Sequence, residues 1–167
     1  MKGIKFFIEQ TDGLPLKVFI TVPSCVPPVT KFETSGAKMG IEEVGKMLRW
    51  ERVIGLGKVM DFPSIISAEK EVMEKVRRAL ESGKVVEGRA PMLKGKELSA
   101  YIAVGVLSCH ESTTRDEVVE KVRRGMFTYI REGSAWLDVK ECIKAITMDG
   151  IAHTFISLVT DDRDEGL

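Results

Sequence analysis

Polar residues able to do chemistry recur just downstream of apolar, strand-like runs. Lys58 follows residues 53–57, Arg89 follows 85–88, and His110 with Glu111 follows 106–109. Arg131 and Glu132 come after residues 127–130, and Asp161 and Asp162 after 155–160. Histidine and carboxylate groups take and give protons, whereas lysine and arginine supply cations. Any one of these positions reads equally as a strand ending where polarity begins. Five in one register point to a shared mouth, because the C-terminal ends of parallel barrel strands converge on the face where chemistry is assembled.

The elements that must hold these residues alternate. Short β-branched runs stand at residues 4–8, 16–22, 53–60, 85–87, 104–108, 127–131 and 154–159, bounded by Gly, Pro or polar residues. Amphipathic stretches lie between them. Residues 68–82 place Val72, Val76 and Leu80 on one helical stripe. Residues 114–124 open with the capping-box pattern Thr114-x-x-Glu117, bury Val118 and Val122, and stop at Gly125. Ser134 is placed to cap a helix carrying Leu137, Ile143 and Ile146, and another helix is expected over 41–50. Residues 93–105 read as a helix whose second half is equally readable as strand. Strict alternation predicts an α/β fold with parallel strands and crossover helices. No linker or repeat divides the chain, so residues 1–167 are expected to form a single domain. Residues 23–38, with Pro23, Pro27 and Pro28, read as a long loop.

Bulk composition narrows the partners. Lys plus Arg equals Asp plus Glu at 25 each, so charge gives no reason to expect nucleic acid or an anionic membrane. A hydrophobic fraction of 44% over 167 residues suffices for a real core. No apolar run approaches the ~20 residues that span a bilayer, and MKGIKFFIEQ is a poor secretory signal. Cys25, Cys109 and Cys142 are odd in number, widely spaced and in no C-x-x-C pair, which suits a reducing cytoplasm.

Six segments carry a family resemblance. Pro23-Ser-Cys-Val-Pro27, Gly55-Leu-Gly-Lys-Val-Met60, Gly88-Arg-Ala-Pro91, Cys109-His-Glu-Ser-Thr-Thr114, Arg131-Glu-Gly-Ser134 and Thr160-Asp-Asp162 resemble, in order and spacing, successive signatures of the adenine deaminases, which are metal-dependent amidohydrolases. The resemblance implies a TIM-type (β/α)8 barrel and a two-metal site holding iron, manganese or zinc. It implies hydrolytic deamination of adenine to hypoxanthine and ammonia, in which metal-bound water attacks and a carboxylate shuttles protons. Residue by residue, it implies His110 as a metal ligand, Asp161 as ligand and proton carrier, and Glu111 as a catalytic pocket residue. It also implies Arg131, Glu132 and Ser134 as substrate-binding residues. Read without it, the favoured readings are His110 as a hydrogen-bonded core histidine and Asp161 as a helix cap.

The chain departs from the family pattern at several places. Lys58 stands where the family has a metal-bridging Glu, and serves as a ligand only if carboxylated. Arg89 replaces a His and has no lone pair to offer a metal. Cys109 replaces an Asp, and its plainest reading is a small buried residue. The first-strand His-x-His pair is absent, since His110 and His153 are the only histidines, and His153 precedes its strand. The expectation is a partial barrel, from about the second or third strand to the eighth and lacking the first. A complete one usually needs about 250 residues. The isolated chain is therefore expected to be inactive or incomplete, with the metal present only by resemblance. Expected partners are adenine, if active, and either a second copy or a complementing N-terminal chain. The alternative is a non-catalytic remnant serving as a binding or oligomerisation module. The Pro-Cys-x-x-Cys deaminase signature, the P-loop and the Gly-x-Ser-x-Gly elbow are all missing.

Overall fold

The computed structural model describes residues 1–27, 33–34, 36–164 and 166. The chain divides into two compact units, 1–87 and 88–167.

The first unit runs α1 (Lys2–Gln10), β1 (Ile20–Val22), α2 (Ile41–Met47), β2 (Val53–Val59), α3 (Phe62–Ile66), α4 (Lys70–Glu81), and then β3 (Val85–Gly88), which leads into the second unit. Strand order follows chain order, and β1 pairs parallel to β2 with Ile20 opposite Val53 and Val22 opposite Leu56. Val53, Leu56 and Val59 of β2 are fully buried, the near-continuous burial of a parallel strand covered on both faces. Two glycines let the strands approach: a Cβ at Gly55 would lie 2.6 Å from the Val85 carbonyl oxygen, and one at Gly57 3.2 Å from Glu87 Cβ.

The second unit runs α5 (Gly95–Ala103), β4 (Ser108–Cys109), α6 (Arg115–Arg123), β5 (Phe127–Arg131), α7 (Val139–Cys142), α8 (Lys144–Thr147) and β6 (Ile156–Val159). β4 pairs parallel to β5, and β5 to β6 with Arg131 opposite Val159. Val118 and Val122 of α6 pack with Ile130, Cys142 and Ala145 in its core. Both units have the expected α/β class: parallel neighbours in chain order, joined by helices, as in a segment of a (β/α)8 barrel. Among the described residues, no helix is long and apolar enough to cross a membrane.

Several local expectations give way. Residues 4–8 lie within α1 and form no strand; the Lys5–Glu9 ion pair and the Thr11 hydroxyl on the Phe7 carbonyl support the helix, and none of its residues is buried. Only 20–22 of the run 16–22 is strand. In 104–108, α5 and the left-handed turn at Gly105 (φ 98°) take the start, leaving strand at Ser108–Cys109. His153–Phe155 is a 3-10 turn ahead of β6. On α4 the buried stripe is Lys75, Val76 and Ala79, while Leu80 is exposed. Ser134 caps no helix: Asp138 occupies the N-cap of α7, and Leu137 is exposed. Thr114 does cap α6, accepting from the Glu117 amide at 3.3 Å, and Gly125 ends the segment in the left-handed region at φ 84°. Helix α3 was not anticipated, although Asp61 at its N-cap, accepting from the Ser64 amide, and Pro63 in its first turn are the usual signals. Of the loop expected over 23–38, residues 28–32 and 35 lie outside the described residues.

Candidate active site

Three loops of the second unit, those following β4, β5 and β6, bring titratable groups together. The loop after β4 carries His110 and Glu111, both buried. Helix α6 holds the loop through a side chain: Lys121 Nζ donates to Ser112 Oγ at 2.9 Å and pairs with Glu117 Oε2 at 3.2 Å. The same Glu117 oxygen accepts from the Met92 amide at 3.1 Å, so the segment after β3 shares the anchor.

Strand β5 ends on Arg131, the largest fully buried side chain among the described residues. Its Nη1 lies 3.1 Å from Glu111 Oε1 and 3.3 Å from Asp161 Oδ2. Its Nε and Nη2 both donate to Asp138 Oδ2, at 3.1 and 2.9 Å, and its guanidinium carbon sits 4.7 Å over the Trp136 ring. Burial works against the charge, but Glu111, Asp138 and Asp161 more than offset it and hold the guanidinium above its ordinary pKa. Beyond β6, Asp161 adopts a left-handed backbone (φ 55°). Gly133 packs so closely on the Thr160 and Asp162 carbonyl oxygens that an added Cβ would overlap both.

His110, Glu111 and Asp161 each present a ligand-type atom, and these atoms lie within 4.8 Å of one another. The cluster also holds Arg89, whose Nε is 2.9 Å from Glu111 Oε1. Glu132 and Ser134 point elsewhere. Glu132 is exposed and accepts from the Val139 amide at 3.2 Å, and Ser134 Oγ accepts from the Asp164 amide at 2.7 Å. Cys109 is fully buried beneath the loop, its Sγ 3.5 Å from the Glu111 amide. His153 is exposed at the end of β6 opposite to Asp161. Lys58 belongs to the first unit, where it lies within β2 and its carbonyl accepts from Ser24 Oγ at 2.5 Å. Asp138, Trp136 and Lys121 escaped the sequence reading. Only Lys121, four residues after Glu117, carried a signal, the i,i+4 charge pair.

The donor set suits a divalent ion by type but not by arrangement. Glu111 Oε1 already faces Arg89 Nε at 2.9 Å, Arg131 Nη1 at 3.1 Å and His110 Nε2 at 3.4 Å. A divalent ion on that oxygen would have to displace or face both guanidinium groups, whose like charge opposes it. As arranged here, these residues do not fit the expected metal.

The first unit has a polar cavity of about 140 Å³ lined in part by Ser24, Cys25, Lys38, Asp61, Ser64 and Lys75. The buried Lys75 amine is fully engaged there, donating to the Ser24 and Met39 carbonyls at 3.0 and 2.9 Å and pairing with Glu71 at 2.9 Å. That is a structural role.

No family model matches the chain. Curated relatives do. The chain is 45% identical over 164 residues to the adenine deaminase of Staphylothermus marinus, and 42% identical over 163 residues to that of Clostridium botulinum strain Loch Maree. It is 40% identical over 163 residues to the adenine deaminase of Moorella thermoacetica. These matches take in 96–97% of the chain but 27% of the length of each relative.

Proposed function

We propose that this homologue of part of the adenine deaminases is an adenine deaminase-like amidohydrolase segment that does not turn over adenine by itself. The carrying observation is the convergence of His110, Glu111 and Asp161 on Arg131, in a chain so similar to those enzymes. The reaction is hydrolysis of the amidine C–N bond of adenine, giving hypoxanthine and ammonia. Asp161 and Glu111 are the proton-carrying carboxylates, His110 is the ligand-type residue beside them, and Arg131 faces the purine side, whereas Glu132 and Ser134, turned to the Val139 and Asp164 amides, take no part in it. Any part played by Lys58 requires its carboxylation, seen as an intact-mass gain of one carbon dioxide. The protein is read as working in the cytoplasm, in keeping with three free cysteines.

A second reading, a non-catalytic binding or oligomerisation module, is favoured by one observation: the cluster's two carboxylates already pair with guanidinium groups. Ammonia release from adenine, measured on the purified chain incubated with iron, manganese or zinc, separates the two readings of activity. No release above a protein-free blank is expected, together with adenine-dependent quenching of Trp136 fluorescence, assigned with a Trp50→Phe background. Sustained turnover would overturn the inactive reading. Absence of both turnover and quenching would favour the module.

A further inference from the structure

We infer that Arg89, with Arg131, supplies built-in cationic charge in place of a metal ion at the His110–Glu111–Asp161 cluster, making it a metal-independent ion-pair site. This deepens the proposed function and rests on the same cluster.

Position and charge carry the inference. The backbone at Arg89 is fixed: its amide donates to the hydroxyl of the fully buried Tyr101 at 3.2 Å. The preceding Gly88 packs so tightly that a Cβ there would lie 2.5 Å from Val106 Cγ1 and 2.6 Å from the Tyr101 hydroxyl. From that anchor the side chain, 36% exposed, reaches a carboxylate that is 8% exposed and places Nε 2.9 Å from Glu111 Oε1. A half-exposed arginine has ample solvent to turn toward; here it faces the cluster. Arg131 approaches the same oxygen at 3.1 Å and also reaches Asp161 at 3.3 Å and Asp138 at 2.9 Å. Two guanidinium groups thus bind the three carboxylates, Glu111, Asp138 and Asp161, into one network. Arginine keeps its charge at any working pH and cannot ligate a metal. The arrangement therefore offsets two of the three carboxylate charges at any working pH and sets fixed cations where a divalent ion would bind Glu111.

The test uses the full chain, with manganese and zinc as probes. Metal content after dialysis and thermal midpoint with and without chelator are read alongside adenine turnover. The wild type is expected to retain no stoichiometric ion and to melt identically with or without chelator. Arg89→His is expected to bind manganese or zinc at least about tenfold more tightly, the factor that about 1.4 kcal/mol produces, and to gain a metal-dependent rise in melting temperature. Arg89→Gln, which keeps a donor but drops the charge, carries the same expectation should the histidine variant misfold. A wild type that holds an ion lost on His110→Ala overturns the inference, and so do folded variants that stay metal-free. If neither variant folds, the wild-type measurement decides alone. Stoichiometric metal without turnover would overturn this inference yet leave the proposed inactivity intact.

Discussion

Lys121 Nζ donates to Ser112 Oγ across 2.9 Å, with both side chains wholly shielded from solvent. The ammonium is neutralised by Glu117, itself 3% exposed and holding the Met92 amide. This buried pair sits directly under the loop that presents His110 and Glu111. Removing one partner of such a pair leaves an uncompensated buried charge. Lys121→Met should therefore destabilise the protein by about 3–5 kcal/mol. Lys121→Met with Glu117→Gln should recover most of that, because no charge is then stranded. Urea unfolding of the three proteins measures both. A double variant no more stable than the single one would show that the pair acts through packing alone.

Arg131 faces three carboxylates and an aromatic ring from a position 1% exposed. Its planar fork meets Asp138 through Nε and Nη2 while Nη1 serves Glu111 and Asp161, a division that a lysine ammonium cannot copy. Arg131→Met should cost about 3–5 kcal/mol, the range for breaking a buried ion pair. Arg131→Lys should fall between that variant and the wild type and shift Trp136 emission. Denaturant midpoints and emission spectra test this. A lysine variant with wild-type stability would mean that charge matters and the fork does not.

Much of this site was legible in the sequence because chain order and strand ends coincide in a parallel β/α fold. His110, Glu111, Arg131 and Asp161 each follow or end a short apolar run, and the structure gathers all four. What escaped was long-range pairing, which periodicity does not encode. Asp138 meets Arg131 only because the chain turns back after β5, where the Gly133 amide bonds to the Trp136 carbonyl. Glu132 and Ser134 stand next to Arg131 in sequence, yet their side chains serve the Val139 and Asp164 amides. The run 4–8 misled for another reason: Ile4 and Ile8 also fit a helix at i,i+4, and with no buried neighbours local pairing decides.

The three thiols should differ sharply in reactivity. Cys109 and Cys142 are completely buried, whereas Cys25 is partly open on the polar cavity of the first unit. Burial, reinforced by Asp138 and nearby glutamates, pushes the Cys142 thiol up to about 12, which keeps it protonated and unreactive. Brief iodoacetamide treatment of the native protein should label Cys25 alone, with all three labelled after denaturation. Peptide mass mapping checks the pattern; native labelling of Cys142 would contradict its buried, protonated state.

Stability toward acid should depend on Asp149. Its carboxylate bonds to the Arg115 guanidinium at the start of α6, and this, with the charges of Arg115 and Arg123 opposing a smaller burial effect, holds its pKa below the ordinary 3.8. A folded-state pKa below the unfolded one means that the unfolded chain binds more protons as the solution is acidified. The stabilisation is complete above the unfolded pKa and disappears as pH falls through the folded one. Thermal melts of the wild type and Asp149→Asn should then differ by a constant margin well above the ordinary carboxylate pKa of 3.8 and converge as pH falls below it. The margin should also shrink in high salt, because Arg115 is half exposed. A difference in melting temperature that stays constant through the acid range would exclude the Arg115–Asp149 pair as a source of acid sensitivity.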